Sequence, residues 1–139
     1  MNKEEELQKN MAIIEYYKEQ LRSLELQFSY LQNTIADNTK AKITLEKISK
    51  EKKEADVLLP IGGGVFIDAK AKNPAKVLFD VGNGIVIEKA SNEAAEKLGK
   101  RIKDLQQTEE KMSSMAQQLQ NGAADASGKV EKILSEQEK

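Results

Sequence analysis

Two long windows without proline flank a middle segment that contains both prolines of the chain, Pro60 and Pro74. This feature constrains the fold most, because proline inside a helix removes a backbone hydrogen bond and breaks the helix. Each flanking window can therefore form one uninterrupted helix. We predict a single domain over residues 1–139, with an N-terminal helix over 1–55, a double β-hairpin over 56–89 and a C-terminal helix over 90–139.

Apolar residues recur every seven positions in both windows, with further apolar residues three or four positions between them. Such a stripe is typical of a coiled coil. Folded antiparallel, the two helices would face each other at residue numbers that sum to about 145, which places Leu21 opposite 122–124. Ser91 is the expected N-cap of the second helix, and Gly122 and Gly128 are expected to weaken its last part. The predicted stripes are Leu7, Met11, Ile14, Tyr17, Leu21, Leu24, Phe28, Leu31 and Ile35 in the first window, and Leu98, Ile102, Leu105, Met112, Met115, Leu119, Ala126 and Ile133 in the second.

The middle segment alternates apolar and polar residues with a period of two, which predicts four short strands. The glycines at 62–64 and the sequence Gly82-Asn83-Gly84 separate these strands and are typical of hairpin turns. A phosphate-binding glycine loop would instead lead into a helix. The glycines therefore indicate turns.

Four short strands leave apolar surface that two helices packed on each other cannot fully cover. Strand edges also carry unpaired hydrogen-bonding groups. We therefore expect strands from several chains to close into a shared β-barrel. The residues expected at this assembly surface are Val65, Ile67, Val77, Phe79, Val81, Ile85 and Ile87.

The composition argues against several classes of function. The chain has no cysteine and no histidine, so the commonest metal ligands and the usual general base are missing. A net charge of −1 gives no basis for nucleic-acid binding. The polar N-terminus and the lack of a 20-residue apolar run predict neither a signal peptide nor a membrane span. We expect a cytoplasmic protein that is not an enzyme and needs no cofactor or metal.

The segment "VLLPIGGGVFIDAKAKNPAKVLFDVGNGIVIEKA" resembles the double hairpin of α-class subunits of archaeal-type prefoldins. The order of elements is similar to that family over the whole chain. This resemblance implies an α+β fold, a long antiparallel coiled-coil hairpin with two β-hairpins at its base. It also implies a hexamer of two α and four β subunits, joined by a β-barrel platform. The resemblance further implies that the assembly captures unfolded polypeptides between coiled-coil tips and delivers them to a group II chaperonin without ATP.

Client contact is expected at apolar residues near both ends of the chain, because unfolded proteins expose apolar side chains. The same residues could instead complete the seam between the helices, and both roles could alternate. Tyr17, Met112 and Met115 are expected in the seam. A self-assembling scaffold without client delivery is the alternative function, and an enzyme is a distant third. The expected client-binding residues are Leu7, Met11, Ile14, Val130, Ile133 and Leu134.

Overall fold

A computed structural model describes residues 2–51 and 53–138 as two long helices with four strands between them. The predicted combination of a helical hairpin with two β-hairpins is confirmed. Contacts divide the chain into two compact units, each built from part of both helices. We call residues 2–33 and 105–138 the terminal unit, and residues 34–104 the hairpin unit. The elements are α1 (Lys3–Ile48), β1 (Ala55–Gly62), β2 (Val65–Ala71), β3 (Lys76–Gly82), β4 (Ile85–Ala90) and α2 (Ser91–Gln137).

In the terminal unit the two helices pack antiparallel along the predicted stripe. Leu24, Leu31, Ala126 and Ile133 are buried there. The other residues of the predicted stripe in this unit are half-buried, except for Met11 and Met115, which are exposed. The narrow apolar stripe on each helix is thus covered by the apolar stripe on the other helix.

The register between the helices differs from the predicted one. The Lys3 Nζ lies 3.4 Å from the Glu136 Oε2, and the Tyr17 ring lies against Gly122. Both pairs have residue numbers that sum to 139, not 145. The two sums differ by six, which is close to one seven-residue repeat. Because a seven-residue pattern looks almost the same after a shift of one repeat, periodicity could not choose between pairings this far apart.

Two methionines expected in the seam lie outside it. Met11 is 53% exposed and Met115 is 52% exposed. The neighbouring residues Asn10 and Ala116 are half-buried in their place. A coiled-coil stripe can advance by either three or four residues. Because Met11 is apolar and Asn10 is polar, the sequence favoured the four-residue step from Leu7 to Met11, whereas the structure uses the three-residue step to Asn10.

Helix α2 continues through both glycines that were expected to weaken it. Gly122 has a specific packing role, since the ring of Tyr17 occupies the space that a Cβ at position 122 would need. Tyr17 is half-buried, and its predicted place in the seam is confirmed. Gly128 has open space around it.

In the hairpin unit, β1 pairs with β2 and β3 pairs with β4, each pair forming a separate antiparallel two-stranded sheet. The first turn has three glycines with positive φ, and the second has Asn83 at φ 53° between two more. These left-handed conformations are those that glycine and asparagine adopt most readily. The predicted hairpin turns are confirmed.

Both junctions between helices and strands differ from expectation. Helix α1 ends at Ile48, seven residues before the predicted boundary, and Glu51 N donates a hydrogen bond to the Ile48 carbonyl just beyond it. Ser91 is the first residue of α2, but its hydroxyl donates to the carbonyl of Pro74 and does not cap the helix. Its backbone N–H donates to the Ala75 carbonyl at 2.8 Å. Ser91 therefore fastens the link between the two hairpins to the start of α2.

Candidate functional site

Within each hairpin, the strand residues predicted for assembly share one face of the sheet. Cross-strand neighbours point to the same side of a sheet, and alternate residues along a strand do so as well. Leu59 pairs with Ile67, and Phe79 pairs with Ile87. We call these two faces, one on each hairpin, the first face; besides Leu59 it contains Val65, Ile67, Val77, Phe79, Val81, Ile85 and Ile87.

Most of the first face is open to solvent in the single chain. Val65, Ile67, Val81, Ile85 and Ile87 are exposed, and Val77 and Phe79 are half-buried. Exposed apolar surfaces are typical of protein–protein interaction sites. The structure thus leaves open the surface that the sequence predicts for assembly.

Cations of α2 and β4 lie beside the first face of the second hairpin. The Arg101 guanidinium carbon lies 5.3 Å from the centre of the Phe79 ring, a cation–π contact that accounts for the partial burial of the ring. Lys89 pairs with Val77 on the same face. Lys89 can donate a hydrogen bond only to the neutral amine of Lys97, and its charge repels the ammonium form, so the pKa of Lys97 is lowered; Glu93 opposes this shift only in part.

The opposite side of the hairpins, which we call the second face, is also partly apolar, and sequence reasoning missed it. Leu58 and Phe66 lie there on the first hairpin, and Leu78 and Val86 on the second. All four are exposed, Leu78 by 76%. The signal was present in the sequence, because apolar residues occupy both phases of the period-two pattern. Charged residues lie next to these apolar residues on the same face: Leu58 is opposite Asp68 on the neighbouring strand, and Leu78 is opposite Glu88.

The six candidate client-binding residues belong to the terminal unit, at the end where α1 begins and α2 finishes. We call residues 2–14 and 125–138 the tip. Met11 and Leu134 are exposed, Leu134 by 44%. Leu7, Ile14 and Val130 are half-buried, and Ile133 is buried with 7% exposure. The structure therefore brings the six to one end but presents only Met11 and Leu134 openly.

A groove of about 510 Å³ lies on one flank of the tip, and sequence reasoning missed one of its main residues. Ile13 and Ile133 form its apolar floor. The exposed side chains of Lys9, Lys129 and Lys132 stand on its rim together with Glu6 and Glu136, and the half-buried Asn10 lines its wall. Ile13 directly precedes the predicted seam residue Ile14, so its apolar character was visible in the sequence. We call this feature the tip groove.

A second groove, of about 340 Å³, lies on the opposite flank of the terminal unit, farther from the tip. Leu24, Phe28 and Met112 supply apolar surface, and serine and glutamine side chains dominate its rim. Heptad positions place exposed Met11 and Leu134 on this same flank. The terminal unit thus has apolar surface on both flanks of the seam.

Within the described ranges, no group of three or more acidic, histidine or cysteine side chains is placed to hold a metal ion. The helices of the described residues also include none that is long and apolar enough to cross a bilayer.

Comparison with known proteins gives consistent results. A family model described as "Prefoldin subunit" matches residues 17–136. The chain is 33% identical to prefoldin subunit alpha of Archaeoglobus fulgidus over 119 residues, which cover 86% of this chain and 87% of the relative. It is 29% identical to prefoldin subunit alpha of Methanoculleus marisnigri over 126 residues, covering 91% and 84%. Among solved structures, filamentous PFD from Methanocaldococcus jannaschii has a similar fold, with a TM-score of 0.57 at 24% identity, covering 90% of this chain and 98% of the other.

Proposed function

Because this chain belongs to the prefoldin family and is an α-class subunit of it, we propose that it acts as an ATP-independent chaperone subunit. It captures unfolded polypeptides at the tip and delivers them to a group II chaperonin. The main support for this proposal is that a chain of the prefoldin family exposes apolar residues at two places, the tip and the hairpins. The chain works as a single prefoldin-like domain in the cytoplasm, without catalysis and without a cofactor.

Client contact at the tip begins at the residues that solvent already reaches. Met11 and Leu134 are exposed, and the flexible thioether of methionine adapts to apolar groups of different shape. Leu7, Ile14, Val130 and Ile133 join the contact when the last turns of the seam open, because helix ends have fewer packing neighbours. Seam packing and client contact are then alternating roles of the same four residues.

Assembly uses the first face of the hairpins. Prefoldin α subunits assemble into oligomeric complexes, and the partners proposed here are β-class subunits in an α2β4 hexamer with a shared β-barrel. Two separate two-stranded sheets expose four strand edges, and isolated hairpins of this size are marginal in water. Pairing with strands of other subunits satisfies these edges and covers the first face, including the seven residues predicted for assembly.

The test of client capture is the light-scattering signal of a denatured protein diluted into the complex of this chain with a β-class subunit. The double substitution Met11→Ser with Leu134→Ser is expected to leave the mass of the complex unchanged and to reduce suppression of aggregation at least twofold. Met115→Ser is the matched control, since Met115 is equally exposed but lies outside the tip. Equal loss in both variants, or no suppression by the unchanged complex, contradicts the proposal.

The test of assembly compares the two faces. Ile67→Asp with Ile87→Asp is expected to prevent formation of the complex in size-exclusion chromatography with light scattering, because a buried unpaired carboxylate is strongly unfavourable. Leu58→Asp with Leu78→Asp places the same charges on the second face and is expected to leave the complex intact. The opposite result would assign assembly to the second face.

The second candidate function is a self-assembling scaffold without client delivery. The observation that favours it is the fold similarity to a prefoldin described as filamentous, together with apolar residues on both hairpin faces of this chain. Negative-stain electron microscopy of the chain alone and of its mixture with a β-class subunit distinguishes the two functions. Open chains in both samples favour the scaffold, and discrete particles in the mixture favour the chaperone.

A further inference from the structure

Charge is distributed unevenly over the tip. Lys9, Lys129 and Lys132 all stand on the rim of the tip groove, above the apolar floor of Ile13 and Ile133. Heptad positions place Glu4, Glu131 and Glu138 on the other flank, beside Met11 and Leu134. The two flanks of the tip therefore offer apolar surface in opposite electrostatic surroundings.

The three rim lysines are not paired with carboxylates of residues 2–51 and 53–138. Of the two glutamates at the groove, Glu136 forms an ion pair with Lys3 at 3.4 Å. Among the residues that the structure describes, none forms an ion pair with the three rim lysines. Glu6 is the remaining carboxylate on the rim, so the groove has an excess of positive charge although the chain as a whole has a net charge of −1.

We propose that the tip groove binds segments of unfolded protein in which an apolar side chain is flanked by aspartate or glutamate. This proposal rests on the proposed chaperone function and names the class of client segment that this flank prefers. The apolar side chain contacts Ile13 and Ile133, and the flanking carboxylates lie near the lysines. Adjacent side chains of an extended segment point to opposite sides, so one apolar residue can face the floor while its neighbours point to the open side of the groove, within reach of the long, exposed lysine side chains.

Lysine suits such a rim because its charge lies at the end of a flexible four-carbon stem. The stem can follow carboxylates at different positions, as a chaperone with many clients requires, and its methylene groups extend the apolar floor. Exposed ion pairs are individually weak and are screened by salt. The preference is therefore expected to be about fivefold at low salt and to disappear near 0.5 M salt.

The experiment measures fluorescence anisotropy of two labelled 13-residue peptides on titration with the complex of this chain and a β-class subunit. Both peptides share one apolar core, flanked by aspartates in one and by lysines in the other. The double substitution Lys129→Gln with Lys132→Gln is expected to reduce the roughly fivefold preference for the aspartate peptide to less than twofold. Lys103→Gln with Lys111→Gln is the matched control, which removes two exposed lysines of the same helix outside the groove and is expected to keep the preference.

Aggregation of a denatured client is measured with the same samples, so that failure of this inference is distinguished from failure of the proposed function. If the complex suppresses aggregation but binds both peptides equally, or binds neither, the inference is wrong and the chaperone function stands. If suppression is absent, the chaperone function itself fails. A change in the mass of the complex in the groove variant would assign the lysines to subunit contact and would also overturn the inference.

Discussion

Gly122 and Gly128 provide opposite predictions for the same substitution. Both lie inside α2, where replacing glycine by alanine stabilises a helix by about 1 kcal/mol. A Cβ at position 128 meets no atom within 4 Å, so Gly128→Ala is expected to raise the free energy of unfolding by 0.5–1 kcal/mol, roughly the full helix-propensity gain.

At position 122 the same change creates a clash. The new Cβ would lie 2.7 Å from Cζ of Tyr17 and 2.9 Å from its hydroxyl oxygen, closer than unbonded atoms approach. The ring must then leave its place in the seam, and overpacking of this kind costs about 1–3 kcal/mol. This loss offsets or exceeds the propensity gain, so Gly122→Ala is expected to be about 1–3 kcal/mol less stable than Gly128→Ala.

The measurement is urea unfolding followed by circular dichroism at one fixed protein concentration, because association of chains also changes apparent stability. Tyr17→Ala completes a double-mutant cycle: once the ring is removed, Gly122→Ala is expected to stabilise as Gly128→Ala does. A Gly122→Ala variant that is as stable as Gly128→Ala with the ring present, and shows no coupling to Tyr17, would refute the packing argument.

Three further predictions concern the hairpin unit. Ser91→Ala leaves the buried carbonyl of Pro74 without its donor and is expected to lower the free energy of unfolding by about 1–3 kcal/mol in urea titration. The pKa of Lys97 is lowered from 10.5, so the unfolded chain binds more protons between the folded and unfolded pKa values, and stability rises with pH in that window. Lys97→Gln is expected to remove this rise in thermal scans between pH 7 and 10.5. Gly84→Ala would place alanine at a φ of 75° and is expected to lower the free energy of unfolding by about 1–2 kcal/mol. The control Gly99→Ala lies in a helix, where the new Cβ would have its nearest side-chain atom at 3.5 Å, and it is not expected to lower stability. Paired urea titrations of the two variants check this difference.

Periodicity and turn chemistry were sufficient for the order and type of the elements. The seven-residue stripe predicts the helices, and the period-two pattern with its glycine turns predicts the hairpins, because these signals reflect local backbone geometry. The shared first face of Ile67 and Ile87 also follows from alternation alone. The second face was missed because Leu58 and Leu78 lie in the polar phase of a pattern that was interpreted as one-sided.

The candidate sites at the tip were predictable only in part. Apolar residues near the two ends of the chain identify Leu7, Met11 and Ile133, but the sequence does not say which of them solvent reaches. Ile13 and the lysines of the tip groove come together only when α1 and α2 pack, since residues more than one hundred positions apart form its walls.

By itself the sequence determined two helices, two hairpins and the apolar seam, since each depends on neighbours within a few positions. Tertiary structure alone decided the register of the helices, because a shift by one heptad preserves the apolar pattern. It also placed Asn10 in the seam in place of Met11, and set the hydroxyl of Ser91 against Pro74. These outcomes depend on which residues far apart in the sequence come into contact, and on whether the side chains of a particular pair, such as Tyr17 and Gly122, can pack without a clash.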